Sequence, residues 1–324
     1  MDTGTHVVMG FAIAGISTLD PVVAENTATS QAVFIAALVG SQAPDIDTVL
    51  KLSNNATYLR NHRGITHSIP AVLLWPIAIV SVLYPFFPTA NLFHLWIWTF
   101  IAVFLHVFVD IFNAYGTQAI RPISSKWVAL GVINTFDLYI FGFHVIGLVL
   151  WGIGFDPGWT FITIYGIIVI YYILRFIAQY FVKIAVRKTV PKAERIIISP
   201  TIHFFQWRVA IITKDRYFVA RAYRRSVTIL DEYKRIPLPE NDIIQAAKKD
   251  KNISAFLSFS PVFRWEIEYD DEKYEVRLID LRYRSNGHYP FVAVVHLDQN
   301  LDILNSYTGW IFSEDKLQKK LTIE

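Results

Sequence analysis

The sequence predicts an α-helical multi-pass membrane domain followed by a cytoplasmic, mainly β (α+β) domain. Of the 324 residues, 53% are hydrophobic and 18% are charged, a composition too apolar for an ordinary soluble protein. Residues 1–190 hold only 9 of the 30 Lys/Arg and 8 of the 27 Asp/Glu. Beyond them, short runs of β-branched and aromatic residues replace the long apolar stretches. We therefore predict a membrane domain at 1–192 and a β domain at 193–324.

Four apolar stretches approach the length of about 20 residues that a helix needs to cross the hydrocarbon core. They are 69–88, 92–112, 138–154 and 159–186, of which the third is somewhat short. Two further apolar runs, 12–16 and 32–39, are shorter and fit interfacial or partly inserted helices. The sequence thus predicts about four spans preceded by short N-terminal helices.

Basic residues give these spans an orientation. A group of them follows the last span: Lys183, Arg187, Lys188, Lys192 and Arg195. The positive-inside rule places that end in the cytoplasm, and counting back places both termini there. The two turns on the opposite side then carry no Lys or Arg, which agrees with the rule. We predict a protein of the cell (cytoplasmic) membrane with both termini inside.

After the membrane domain, the pattern predicts antiparallel strands. They are expected at 196–198, 207–213, 217–223, 227–233, 265–269, 274–281, 291–296 and 301–307, with a hairpin turn at 269–274 and one amphipathic helix at 240–249. The basic stretch 221–235 is explained better by alternate exposure on a strand than by binding to anionic lipid. This domain could recognise substrate, present a regulatory surface or bind a partner protein, whose identity the sequence does not give.

Polar groupings interrupt the apolar domain on its predicted cytoplasmic side. They are His6, the Asp45/Asp47 pair, the segment from His62 to Ser68, and His106 with Asp110. His106, Asp110 and Asn113 are spaced i, i+4, i+7 and share one face of a helix. Ser68 is expected to cap the first span, which brings His62 and His67 to the mouth of the helix bundle.

A metal site is the chemistry that these groupings favour. His106 and Asp110 lie in a stretch with no other polar residue, and ionisable groups at membrane depth are costly unless they are paired. The chain has no cysteine, so a metal must be held by imidazole and carboxylate. The predicted ligands are His6, Asp45, Asp47, His62, His67, His106 and Asp110. They would hold one to three divalent ions, most suitably zinc, with manganese or iron as alternatives.

Structural alternatives exist for each part of this pattern. His106 and Asp110 alone could be a buried ion pair or a hydrogen-bonded pair. Asp45 and Asp47 could be turn and helix-cap residues. Arg63 could anchor the chain at the membrane surface as readily as it could contact phosphate. The joint occurrence of the groupings at one membrane face is what favours a metal site.

The same residues resemble those of the YdjM-like family, a LexA-regulated, DUF457-type group of membrane-bound, metal-dependent hydrolases. The resemblance covers about residues 1–190 and is most specific at the His-Arg-Gly-x-Thr-His-Ser motif of residues 62–68. This family is distantly similar to the zinc phospholipase C and P1 nuclease group, which implies phosphoester hydrolysis. In such a reaction we expect Arg63 and Thr66 to contact substrate or to orient ligands. The metal-ligating N-terminal Trp and the His-x-x-x-Glu pair of that group have no counterpart here, which leaves the number of metals open.

We therefore expect a membrane-bound, metal-dependent hydrolase of a lipid-linked phosphoester, a phospholipid among the candidates. The first alternative is a non-catalytic metal-binding membrane regulator that signals to a cytoplasmic partner. A transporter is disfavoured, because residues 92–105 offer only His94 and Thr99 as polar groups. A net charge of +3, well mixed with acids, gives no sign of a nucleic-acid partner.

Overall fold

The computed structural model describes residues 1–52, 54–270 and 272–323, and the chain divides into two compact units. The first unit comprises Met1–Asp47, Arg63–Gln179 and Pro200–Phe204. The second comprises Thr48–His62, Tyr180–Ser199 and Phe205–Glu324. Apolar helices dominate the first and two antiparallel sheets the second, so the predicted fold class is confirmed.

The helical part of the chain runs from α1 to α8. Its elements are α1 (Thr3–Ser17), α2 (Pro21–Glu25), α3 (Thr27–Gly40), the 3-10 helix η1 (Ala43–Leu52), α4 (Asn55–Asn61), η2 (Ile65–His67), α5 (Ile69–Leu83), η3 (Tyr84–Phe86), α6 (Leu92–Asp110), α7 (Leu138–Gly152) and α8 (Pro157–Thr189). Of these, α4 belongs to the second unit.

Among the described residues, three helical stretches are long and apolar enough to cross a membrane. They are Ile69–Phe86, Leu92–Asp110 and Pro157–Thr189. A fourth candidate is α3 together with η1, which meet at a bend of 42°. The predicted third span forms α7, which is apolar but only 15 residues long. The part of the chain that the structure describes therefore has three to four candidate spans.

Side-chain caps set where several of these helices begin. Asp2 accepts a hydrogen bond from the Thr5 backbone N at 3.1 Å and starts α1. Ser68 caps α5 through the Ala71 backbone N, as expected from its position before Pro70. These caps hold His6 in the first turns of α1 and His67 immediately before α5.

Small residues let α1, α3 and α6 approach closely. A Cβ added to Gly10 would lie 2.6 Å from Ser41 Oγ and 3.1 Å from the Leu38 Cα. A Cβ added to Gly40 would lie 3.2 Å from the Ala102 Cβ. Small residues at helix contacts are the usual means of close packing within a bilayer, where the hydrophobic effect does not drive helices together. This packing brings the His-bearing turns of α1 and α6 next to the end of α3.

The second unit contains two four-stranded sheets. Their strands are β1 (Arg195–Pro200), β2 (Gln206–Ile212), β3 (Arg216–Tyr223) and β4 (Ser226–Lys234) in one sheet, and β5 (Phe263–Tyr269), β6 (Lys273–Asp280), β7 (Phe291–Asp298) and β8 (Ile303–Trp310) in the other. In each sheet the strands follow chain order, so neighbours are joined by local connections. Each of the eight predicted strands has a counterpart here.

The expected hairpin is the β5–β6 connection, where Tyr269 pairs with Tyr274. Asp271 of that turn lies outside the described residues. The helix expected at 240–249 is α9 (Asp242–Lys249). Two further helices were not predicted, α10 (Lys251–Phe259) and α11 (Glu314–Ile323). Of these, α10 packs on β7 and β8 of the second sheet.

Helix α4 is part of the second unit through its contacts with α10 and β8. The Asn55 amide Nδ2 donates to the Thr308 carbonyl at 3.1 Å, and Arg60 Nη2 donates to Ser254 Oγ at 2.6 Å. This helix was not predicted from the sequence, because it has only seven residues and little apolar periodicity.

Candidate metal centre

Four donor atoms converge inside the first unit. They belong to Asp45 on η1, His67 on η2, and His106 and Asp110 on α6, and they all lie within 4.8 Å of one another. His67, His106 and Asp110 are fully buried, and the Asp45 side chain is 12% exposed. Segments that are far apart in sequence thus contribute to one pocket of imidazole and carboxylate groups.

The spacing of these donors matches that of ligands around one small cation. His67 Nε2 lies 3.3 Å from His106 Nε2, and 3.5 Å from both Asp45 Oδ1 and Asp110 Oδ2. His106 Nε2 lies 3.6 Å from Asp45 Oδ1 and 3.9 Å from Asp110 Oδ2. Tetrahedral ligands with bonds of about 2.0–2.1 Å are separated by about 3.3–3.4 Å. The residues present therefore fit a divalent metal of the zinc type.

A backbone carbonyl orients His106. Its Nδ1 lies 2.6 Å from the carbonyl oxygen of Ser41, at the end of α3. Because a carbonyl can only accept, Nδ1 carries the proton and Nε2 presents its lone pair to the cluster. A backbone or carboxylate partner on the outer nitrogen is the usual support for a metal-binding imidazole.

A side-chain relay orients His67. Thr66 Oγ1 donates to Asp47 Oδ2 at 2.6 Å and lies 3.0 Å from His67 Nδ1. The single hydroxyl proton of Thr66 is committed to the carboxylate, so His67 Nδ1 is the donor of the second bond. The Nε2 lone pair of His67 therefore points into the cluster, opposite that of His106. Two lone pairs facing each other at 3.3 Å repel unless a cation lies between them.

The electrostatics of His67 agree with this assignment. Burial lowers the pKa of His67 to about 3, against an opposing contribution from the hydrogen bond with Asp45. Its imidazole is therefore neutral near pH 7, which is the form that binds a metal.

His6 completes the inner surface of the cluster from α1. Its ring stacks on that of His106 with centroids 3.7 Å apart, and its Nε2 lies 3.5 Å from Asp110 Oδ1. Among the described residues, neither ring nitrogen of His6 has a hydrogen-bond partner, although the side chain is fully buried. A buried imidazole without hydrogen bonds is costly, and metal coordination is one way to compensate it.

Arg63 is buried against the acidic side of the cluster. Its Nε lies 3.1 Å from Asp110 Oδ2, and its backbone N donates to Asp47 Oδ2 at 2.9 Å. The residue has a φ of 60°, a left-handed conformation that is uncommon for a side chain of this size. Such a conformation persists only where surrounding contacts enforce it, and here it directs the guanidinium to Asp110.

Met1 also reaches this site. Its α-amino group contacts Asp110 Oδ1, and its carbonyl oxygen accepts a hydrogen bond from Arg63 Nη2 at 2.7 Å. Neither Met1 nor Ser41 was predicted from the sequence, because each acts through backbone atoms that any residue type supplies. Asn113, expected on the same helix face, donates to Asp110 Oδ1 at 3.3 Å.

The seven predicted ligands thus occupy different surroundings. Five of them present nitrogen or oxygen to one buried cluster: His6, Asp45, His67, His106 and Asp110. Asp47 lies beside them and accepts hydrogen bonds from Thr66 and Arg63. His62 belongs to the second unit, where it ends α4 and its ring stacks on Tyr58.

Apolar spans that enclose a buried His/Asp cluster, followed by a β-rich region, define a multi-pass membrane protein with a candidate metal centre. The chain belongs to the YdjM inner membrane protein family, which matches residues 1–182. Two further family descriptions match the rest: the YfhP middle domain at 191–233 and the YfhP C-terminal alpha/beta plait domain at 242–321.

A relative over the whole chain supports the same grouping. The chain is 60% identical to the uncharacterized protein YfhP of Bacillus subtilis (strain 168) over 324 residues, which is 100% of this chain and 99% of that protein. No solved structure matches the chain.

Proposed function

We propose that this protein is a membrane-embedded, metal-dependent hydrolase that acts on a lipid-linked phosphoester. The observation that carries the proposal is the pair of imidazole Nε2 atoms of His67 and His106, which face each other at 3.3 Å beside Asp45 and Asp110. A separate hydrogen-bonding group fixes the tautomer of each ring. This arrangement is unfavourable without a cation and well suited to one.

Each residue of the cluster has a distinct role in this proposal. One divalent ion, most suitably zinc, would be held by His67, His106, Asp45 and Asp110. His6 offers a further nitrogen next to Asp110. Asp47 and Thr66 hold the His67 ring in its metal-binding tautomer. When bound, the ion would supply Lewis acidity toward a phosphoryl oxygen and would make a water molecule acidic enough to ionise near neutral pH.

Arg63 supplies positive charge that does not depend on the metal. Its guanidinium lies 3.1 Å from Asp110 Oδ2, so it offsets part of the negative charge of the two carboxylates. A fixed cation beside the cluster would also favour an anionic phosphoester over a neutral ester. Asp45 is the most exposed of the four donors, with a side chain that is 12% exposed.

The location of the cluster favours a lipid-linked substrate. His67 lies two residues before the candidate span Ile69–Phe86, and Asp110 is the last residue of the span Leu92–Asp110. The site therefore lies at the end of two spans, where a headgroup would be found. The positive-inside pattern of the basic residues favours the cytoplasmic face.

Turnover by a matched pair of variants tests the proposal. The full-length chain, purified in detergent, would be assayed on a panel of phospholipids and chromogenic phosphoesters after chelation and readdition of zinc, manganese or iron. We expect metal-dependent hydrolysis that His106→Gln lowers by at least a hundredfold. His144→Gln is the control, because His144 is also buried and also bonds a backbone carbonyl, that of Ile140 at 2.8 Å, but lies outside the cluster.

Absence of hydrolysis across the panel, or equal turnover of the His106→Gln and His144→Gln proteins, would contradict a hydrolase. Metal binding without any hydrolysis would favour the regulator expected as the first alternative.

A further inference from the structure

A groove of about 670 Å³ opens beside the candidate metal centre in the first unit. One wall is formed by Ile65 and Ser68, which flank Thr66 and His67 in the chain. The opposite wall is the segment from Arg121 to Lys126, which connects α6 to α7. The groove is therefore built in part from the same short segment that carries His67.

Hydrogen bonds join the two walls to each other and to the metal centre. The Ile69 backbone N donates to the Arg121 carbonyl at 3.1 Å. Gln118 links both sides, because its backbone N donates to the Arg63 carbonyl at 2.9 Å and its Nε2 donates to the Ser125 carbonyl at 2.8 Å. The outer wall is thus held in a fixed place next to Arg63 and His67.

Two cations of the groove are available to a ligand. Arg121 is half-buried and Lys126 is exposed, and among the described residues neither has a carboxylate partner. Ser125 adds an exposed hydroxyl group between them in the chain. A positively charged groove without internal counter-ions attracts an anion with more than one negative charge.

The rim of the groove is apolar and lies at the start of a span. Ile123 is 80% exposed and Ile65 is 69% exposed, and Pro70 lies in the first turn of α5. Exposed aliphatic side chains at this depth are suited to acyl chains, whereas a small water-soluble anion would leave them uncovered.

We propose that this groove binds the headgroup of an anionic phospholipid, with the phosphate between Arg121 and Lys126 and the acyl chains along Ile65 and Ile123. The inference rests on the proposed function, since it names the class of substrate that the neighbouring centre would receive. The class is a lipid with a terminal phosphate, because two cations match a phosphomonoester dianion better than a zwitterionic headgroup.

Lipid binding by the full-length chain tests this proposal. The probes are dioctanoyl phosphatidate, dioctanoyl phosphatidylcholine and inorganic phosphate, titrated by calorimetry in an uncharged maltoside detergent. We expect phosphatidate to bind more tightly than either other probe. Arg121→Gln with Lys126→Gln should weaken phosphatidate binding by about twenty-five-fold, because each cation near a lipid phosphate contributes about fivefold.

The control removes two cations elsewhere. Arg187→Gln with Lys188→Gln changes two exposed residues of the last turn of α8 and should leave the affinity within twofold of wild type. Lys126→Gln alone changes an exposed side chain, so this single variant can be used for the same measurement if the double variant does not fold. Equal weakening in the groove variant and the control, or no weakening in either, would overturn the groove as a specific site.

The remaining outcomes separate this proposal from the proposed function. If inorganic phosphate binds as tightly as phosphatidate, the groove is a site for free phosphate, and the proposal of a lipid ligand is overturned. Metal content, measured on the same samples by mass spectrometry, should be unchanged in the groove variant. A metal-free wild-type chain that still prefers phosphatidate would contradict the proposed hydrolase function and support the groove as a lipid site. A metal-loaded chain that shows no preference among the probes would overturn only the proposal that the groove binds lipid.

Discussion

Thr66 provides a sensitive test of how the candidate metal centre is held. Thr66→Val keeps the shape of the side chain but removes the hydroxyl group that bridges Asp47 Oδ2 at 2.6 Å and His67 Nδ1 at 3.0 Å. The variant leaves the Nδ1–H of a fully buried imidazole without its Thr66 acceptor. It also permits the ring to adopt the other tautomer, in which Nε2 is protonated and cannot bind a metal.

The size of the effect follows from two independent considerations. A buried donor that loses its partner costs about 1–3 kcal/mol. Loss of a group that orients a metal ligand weakens metal affinity by about 10–100-fold, and each tenfold change corresponds to about 1.4 kcal/mol. The two ranges agree, so we expect zinc affinity to fall by about 10–100-fold in Thr66→Val.

The assay is competition for zinc between the full-length chain in detergent and a chromophoric chelator of known affinity. Thr99→Val is the matched control, since Thr99 is fully buried in α6 and its Oγ1 donates to the Leu95 carbonyl at 2.6 Å, away from the cluster. Equal zinc affinity in Thr66→Val and wild type, or an equal loss in Thr99→Val, would refute the relay through Thr66.

Two further predictions concern the second unit. Asp280→Ala should lower the free energy of unfolding by about 3–5 kcal/mol, because the buried Arg282 guanidinium loses the carboxylate that binds its Nη2 at 2.6 Å. Thermal unfolding followed by tryptophan fluorescence measures this loss of stability. A loss below about 1 kcal/mol would contradict the prediction. Burial alone would raise the pKa of Glu275, but the hydrogen bond from His296 and the charge of Arg277 hold it below its ordinary value of 4.5. The stabilisation by Glu275 is therefore present above pH 4.5 and is lost as the pH falls through the folded-state pKa. The difference in free energy of unfolding between wild type and Glu275→Gln should thus become smaller on acidification from pH 6 to pH 4. A difference that stays constant over this range would contradict the lowered pKa of Glu275.

Much of the fold could be predicted from the sequence because periodicity and composition encode it directly. The strands of the second unit alternate or run as buried β-branched segments, as in β7, which is buried over almost its whole length. The long spans could be predicted from the length of their apolar stretches alone. Helix α11 also carried a signal, since Leu317 and Leu321 are spaced i, i+4 and both are buried, but its high charge obscured it.

Helix α10 was missed for a different reason. Asp250 both ends α9 and caps α10, accepting a hydrogen bond from the Ile253 backbone N at 2.9 Å. The two helices therefore follow each other without a Gly or Pro between them, and the serines of α10 weaken its apolar pattern. A break of a single residue is not visible in a windowed hydrophobic pattern.

In the candidate centre, residue type was informative for the donors and uninformative for their supports. His106 and Asp110 were predictable from their i, i+4 spacing in an apolar helix. The Ser41 carbonyl that orients His106 was not predictable, because every residue type has a backbone carbonyl and the sequence cannot distinguish which one accepts this hydrogen bond. The left-handed conformation of Arg63 was likewise unpredictable, since it depends on tertiary contacts around a non-glycine residue.

We propose that the buried His/Asp cluster holds a metal. Elemental analysis by mass spectrometry of the full-length chain, purified without added metal or chelator, tests it most directly. The predicted result is at least one transition-metal ion per chain in wild type and less than a tenth of that in His67→Ala with His106→Ala, both proteins remaining folded. A wild-type chain without stoichiometric metal, or a double variant that retains it, would contradict the claim.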